Sequence, residues 1–144
     1  MDAAVTWEPW LSRAPEREGG YVIATSKEYP KTIVDVMAVR SDFAENNPNV
    51  VKAFKEAWYK AVAFSEENPD EANQIMADGI GLELQDIVDE RAGVTFFGKE
   101  ENLEFFDQSS KDNIYEVTQR AANFWKTRGI FDDVNIDEFI APIE

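Results

Sequence analysis

The chain has 144 residues, 29 of them acidic and 14 basic, with a formal net charge of −15, and its length is that of one ordinary domain. A surface this acidic repels phosphate backbones and excludes nucleic acid as a partner. Cysteine and histidine are both absent, which excludes disulfides, thiolate metal sites and cysteine nucleophiles and removes the commonest general base.

In chain order, Asp2–Thr6 is a short run of small and β-branched residues, predicted as a strand, that stops at Trp7-Glu8-Pro9-Trp10, because proline cannot continue a ladder. Leu11 to Tyr21 mixes charges with Pro15 and Gly19-Gly20, which reads as a loop or short helix. Gly20–Thr25 reads as a second strand, and Ser26–Thr32 as a polar loop. Ile33-Val34-Asp35-Val36-Met37-Ala38-Val39-Arg40 is the strongest strand signal. It is mostly apolar rather than alternating, which suits burial on both faces.

From Ser41 the period becomes helical. Asn47-Pro48 and Asn68-Pro69 each place a capping residue before a proline at the first helical position, and Glu71 completes a box-like cap at the second. Val51, Phe54, Trp58, Ala61 and Val62 give the first of these helices its apolar stripe. Ala72, Ile75 and Met76 give the second its stripe, with Gly79 placed to end it. Leu84, Ile87 and Val88 mark a third helix closed by Gly93, and Val94–Asp107 reads as aromatic and irregular. The longest helix is predicted from Ser110 to Gly129, with Ile114, Val117, Ala121, Phe124 and Trp125 facing inward. The tail, with Phe131, Ile136, Phe139 and Ile140, suits a last short helix.

The predicted order is three strands followed by four or five helices. Parallel pairing needs crossovers between strands, and few are available. Either the strands form a small mixed sheet under a helical layer, or their neighbours lie on another chain. The charge is also uneven. Met1–Ser65 holds 8 basic and 9 acidic residues, a net of −1, whereas Glu66–Glu144 holds 6 and 20, a net of −14.

Trp7-Glu8-Pro9-Trp10 is the most informative cluster, since ligands of open α/β sheets bind at the ends of strands. Trp7 either stacks on or walls off a small ligand whose donors Glu8 accepts, or both tryptophans are core and Glu8 is solvated or caps the next turn. Asp35, a charge inside an apolar strand, needs a partner: a ligand on one reading, an arginine on the other. Asp133-Val134-Asn135-Ile136-Asp137 spaces oxygen ligands as a calcium loop begins, and Glu144 falls at the twelfth position. However, Glu138 occupies the place of the turn glycine and Pro142 interrupts the loop, which favours a solvated acidic tail. No metal, no cofactor and no catalytic residue is expected, because no nucleophile elbow, phosphate loop or dinucleotide fingerprint is present. The first residues have neither the basic nor the apolar region of a signal peptide.

The strings Asp2-Ala3-Ala4-Val5-Thr6-Trp7-Glu8-Pro9-Trp10-Leu11-Ser12 and Thr25-Ser26-Lys27-Glu28-Tyr29-Pro30, the run Ile33–Ala44, and the later Asn47-Pro48, Val51-Lys52-Ala53-Phe54, Ala57-Trp58, Asn68-Pro69-Asp70-Glu71-Ala72 and Phe124-Trp125-x-x-x-Gly129 together resemble the sulfonate/nitrate/taurine-type solute-binding proteins of ABC importers. The resemblance implies a helix-rich α/β fold, part of a type 2 periplasmic-binding-protein lobe, with a sheet of about three strands packed on four to five helices. It implies that 1–144 corresponds to the C-terminal half of a two-lobed protein, with 1–12 ending the second lobe at the hinge crossing and 13–144 forming the C-terminal part of the first lobe. Thr6, Trp7, Glu8 and Asp35 would then face ligand, and Pro9 and Trp10 would form the hinge. The implied partners are a small-molecule solute, an ABC permease, and a second copy or a chain supplying the missing half. The implied location is periplasmic or lipid-anchored outside the cell, although the chain as it stands, without a signal peptide, is expected in the cytoplasm. Relatives that build a thiamine pyrimidine precursor use histidine, which this chain lacks, so no enzyme is expected. An oligomerising module derived from such a protein is the alternative.

Overall fold

A computed structural model describes residues 2–138 and 140–141. The predicted tail contact of Phe139 and the calcium-loop positions Pro142 and Glu144 lie outside the described residues. The elements are helices α1 (Trp10–Arg13), α2 (Ser41–Asn46), α3 (Pro48–Glu67), α4 (Pro69–Ile80), α5 (Leu84–Gly93), α6 (Lys99–Phe106) and α7 (Ile114–Thr127), with 3₁₀ turns at Ala14–Glu16, Ser26–Glu28 and Ile136–Glu138.

Among the described residues there is no strand, and the expected sheet of about three strands is corrected on that finding. Residues 2–6, 21–24 and 34–39 have no regular secondary structure, and among the described residues they carry no backbone–backbone hydrogen bond. The physical reason is that a helix closes its hydrogen bonds within itself, whereas a strand is stable only beside another strand. These segments and the adjoining Ile33 also stay exposed, with Ile23 and Ile33 both at 79%. Their β-branched and apolar content names what they suit, but the described residues offer no strand edge to receive them.

The chain divides into two compact units, residues 1–30 with 38–96, and residues 31–37 with 97–144. The first is built on α3, α4 and α5. Val62 and Ser65 of α3, Ala72 and Ala77 of α4 and Ile87 of α5 are its buried side chains. Arg91 of α5 ties the three helices together: its guanidinium donates to Asn73 Oδ1 at 2.7 Å and to the Ser65 carbonyl at 3.4 Å, and lies 5.9 Å from the centre of the Phe96 ring. The Phe96 ring meets Trp58 edge-on with centroids 6.0 Å apart. Of the predicted stripe, Val51 and Val62 are covered, together with Tyr59 and Ser65, whereas Phe54, Trp58 and Ala61 lie on the exposed side of α3.

Prolines open α3 and α4 as predicted, but the asparagines before them do not cap forwards. Asn47 and Asn68 donate their amides back to the carbonyls of Phe43 and Phe64, so each closes the helix before it. α4 runs through Gly79 and stops at Gly81, whose φ of +78° allows the Gly81 and Leu82 N–H groups to reach the Ala77 carbonyl, a left-handed stop that glycine adopts without strain.

The second unit centres on α6 and α7, with Phe105, Asn113, Ile114, Ala122 and Ile136 buried. The stretch predicted as irregular folds into α6, whose Phe105 ring packs edge-on against Phe97 and Phe106 and has the Lys31 ammonium 5.4 Å from its centre. α7 begins at Ile114, four residues later than predicted, and α3, not α7, is the longest helix. Asn113 sets that start. It is 2% exposed, its Oδ1 accepts from the N–H groups of Tyr115 and Glu116, and its amide donates to the Gln108 and Ser110 carbonyls. Along α7, Ala122 is buried whereas Ala121, Phe124 and Trp125 face out.

Candidate functional site

The Trp7–Trp10 cluster is held by backbone rather than by burial. The Leu11 N–H donates to the Trp7 carbonyl at 3.0 Å, and the Arg13 N–H to the Pro9 carbonyl at 3.3 Å, which forms the single turn of α1. The Glu8–Pro9 peptide is cis. Glu8 reaches forward, and its Oε2 accepts from the Ser12 N–H at 3.0 Å, satisfying one of the orphan donors of that turn. Glu8 thus caps the turn that follows it. The reading of both tryptophans as core does not hold, since Trp7 is 77% exposed and Trp10 is exposed too. Thr6, Glu8 and Pro9 are half-buried beside Trp7.

α1 is anchored within its unit through Arg13. The guanidinium lies 5.6 Å from the centre of the Trp10 ring and forms a 2.7 Å ion pair with Asp86 of α5. Trp7 thus projects from a short turn fixed to the helical layer, presenting a broad apolar face beside a threonine hydroxyl and a carboxylate. A group of this kind suits a small solute that is apolar along one side and polar at its ends.

Asp35 is exposed, in the middle of the stretch 33–39, and among the described residues no arginine pairs with it. It belongs to the second unit, whereas Thr6, Trp7 and Glu8 belong to the first, so the four predicted ligand residues do not share one compact unit.

One feature that the sequence reading missed is an open depression of about 470 Å³ lined by Ala38, Val39, Arg40, Asp42, Phe43, Asn46 and Asn47. Its polar groups are already engaged. Arg40 Nε donates to Asp42 Oδ1 at 2.9 Å and Nη2 donates to Oδ2, a two-point clamp. The Arg40 guanidinium, with smaller help from backbone N–H groups, holds the Asp42 carboxyl below its ordinary range. Asn46 and Asn47 donate to the Asp42 and Phe43 carbonyls. An incoming anion would compete with Asp42 for Arg40. The signal available in sequence was the Arg-x-Asp spacing at a helix start.

Among the described residues no group of three or more acidic side chains is placed to hold a metal ion. Within the calcium-like run, Asp133 pairs with Lys126, Asn135 donates to Glu138 Oε1 at 2.9 Å, and Ile136 is buried, so these residues have other partners. No described helix is long and apolar enough to cross a membrane.

Residues 1–81, more than half of the chain, match the model of the NMT1-like family. A protein of Bacillus subtilis (strain 168) named for binding aliphatic sulfonates is 24% identical over 141 residues, which is 97% of this chain and 40% of that protein. The chain therefore spans well under two thirds of the relative it matches. No solved structure matches it.

Proposed function

Because the chain belongs to the NMT1-like family, we propose that it is the C-terminal half of a solute-binding component of an ABC importer, acting on small sulfonates or similar anions. The observation that carries this reading is the match of 97% of the chain to a protein named for binding aliphatic sulfonates, together with the exposed Trp7 flanked by half-buried Thr6 and Glu8. Trp7 offers its ring to the solute's alkyl part, and Thr6 donates its hydroxyl to the anionic head. Glu8, itself an anion, suits an ammonium group carried by the same solute, so an aminosulfonate such as taurine fits better than a plain alkanesulfonate. Pro9 and Trp10 are proposed as the hinge, with residues 1–12 as the crossing between lobes and 13–144 as the C-terminal part of the first lobe. Closure of two lobes around the solute would be the form that the permease reads, with the whole protein outside the cytoplasmic membrane. The role is binding, with no reaction.

Thermal unfolding of the full chain with taurine, methanesulfonate and nitrate at millimolar concentration tests this. A ligand at about a hundred times its Kd stabilises by about 2.7 kcal/mol. Taurine is expected to raise the midpoint most, with a change in tryptophan fluorescence that Trp7→Ala abolishes. No shift with any of the three ligands overturns binding by this chain. A second reading, an association module without a transport role, is favoured by the unpaired extended segments, and is separated from the first by binding of solute.

A further inference from the structure

α3 carries more apolar surface than its own unit covers. Val51 and Val62 are covered, but Val50, Phe54, Ala57, Ala61 and Phe64 recur at steps of four and three residues, which lines them along a second face, and all five are exposed. Lys52, Glu56, Lys60 and Glu67 share a third, charged side, where Lys52 pairs with Glu56. A helix with so narrow a charged sector belongs between two layers rather than at a surface. In the same unit, Tyr21, Val22 and Ile23 are exposed, uncharged and without a backbone partner among the described residues. The chain as a whole exposes 11,599 Å². A folded monomer of its 16.4 kDa exposes about 7,500 Å², and two separately folded pieces the size of its two units about 9,000 Å². The excess of at least about 2,600 Å² is the area that one partner gives up in a large obligate interface.

Geometry narrows what covers these surfaces. Residues 21–24 need a strand edge, which a helix does not offer. Phe54 and Phe64 lie about 15 Å apart along α3, close to three strand spacings of about 4.8 Å, and the alanines between them leave a flat floor. A sheet meets both needs, and the described residues contain no strand. Its source is indicated by the relative. The match takes in 97% of this chain but 40% of that protein, so most of the relative lies outside it. Building on the half-protein reading above, we propose that the outer face of α3 is the docking surface for a β-sheet contributed by a polypeptide homologous to the unmatched part of the Bacillus subtilis relative, and that residues 21–24 pair with an edge of that sheet. Phe54 and Phe64 brace the sheet at its two sides, and Ala57 and Ala61 let it approach. α3 carries three basic and three acidic residues, a net charge of zero, so it offers an apolar sheet no net charge to desolvate, in contrast to the −14 of residues 66–144.

The test is co-expression of the full chain with a polypeptide made of the unmatched part of the Bacillus subtilis relative, without solute, read by sedimentation and hydrogen exchange. A one-to-one complex is expected, with amide exchange at residues 21–24 slowed at least about tenfold against the chain alone. Ala61→Glu puts a charge in the middle of the covered face and is expected to weaken the complex at least about tenfold. Ala63→Glu, an exposed position on the charged side of the same helix, is expected to leave it unchanged. Circular dichroism establishes that the helices persist in both variants. Failure to form a complex overturns the proposal. So does a complex indifferent to Ala61→Glu, a complex in which exchange at 21–24 is not slowed, or self-association of the chain alone that protects those amides. Solute binding is read separately: a complex that binds no sulfonate overturns the solute and not the docking, and sulfonate binding by a chain that forms no complex overturns the docking and not the solute.

Discussion

Ile87 of α5 and Ile33 of the β-patterned stretch 33–39 are the same residue type, yet one is 1% exposed and the other 79%. Ile87 sits on a helix whose backbone is satisfied within itself, so a single apolar stripe against α4 is enough to bury it. Ile33 sits in a segment that requires a neighbouring strand on at least one edge before any face can form. The difference teaches that helices can be held by local contacts alone, whereas strands depend on what else is present. α3 shows both conditions on one element, with Val62 and Ser65 covered by its neighbours while Phe54 and Trp58 face outward.

The strongest way to break this comparison is to delete the same atoms in both regions. Ile87→Ala is expected to cost about 2–5 kcal/mol, and Ile33→Ala less than about 0.5 kcal/mol, both measured by urea unfolding of the full chain. Equal costs would mean that Ile33 is as buried as Ile87. A smaller effect sharpens the helical side. Asn113→Ala removes the acceptor of two N–H groups at the start of α7 and is expected to cost about 1–2 kcal/mol, with the loss read in the same urea transitions. If stability is unchanged, α7 does not depend on that cap.

The smallest effect lies where the two regions meet, at the Arg40–Asp42 clamp between the stretch 33–39 and α2. Arg40 lowers the Asp42 pKa from its ordinary 3.8. The contribution is therefore fully present above that value and is lost as the pH falls through the lowered native pKa. Asp107, held down by the backbone N–H and hydroxyl of Ser109, behaves in the same sense. Asp42→Asn is expected to flatten the acid limb of the urea midpoint against pH below about pH 4. An unchanged limb would mean that the clamp does not form in solution.

Much of the helical part is legible in the chain itself. The prolines at 48 and 69 mark the starts of α3 and α4, and Gly129 with its positive φ follows α7. The errors have local causes. Asn47 and Asn68 have the right side chain for a forward cap but find the preceding carbonyls closer. The aromatic run before Asp107 carries Lys99 to Phe106 in one helix because Phe105 has Phe97 and Phe106 to pack on. At the candidate site, the sequence singled out Trp7 and Glu8 and left two readings for each. Exposure decided for an open Trp7, and the Ser12 N–H decided for a capping Glu8.

By itself, the sequence determined the family, the absence of thiol and imidazole chemistry, the positions of most helices, and the near-neutral first part set against an acidic remainder. These depend on residue identity, order and short-range spacing. Only the tertiary structure decided that the β-patterned segments find no strand partner among the described residues, that the buried stripe of α3 leaves Phe54 and Trp58 outside, and that Asp35 and Trp7 belong to different units. The physical reason is that hydrophobic patterning states what a segment would pack against, while burial and ladder formation depend on whether that neighbour is there.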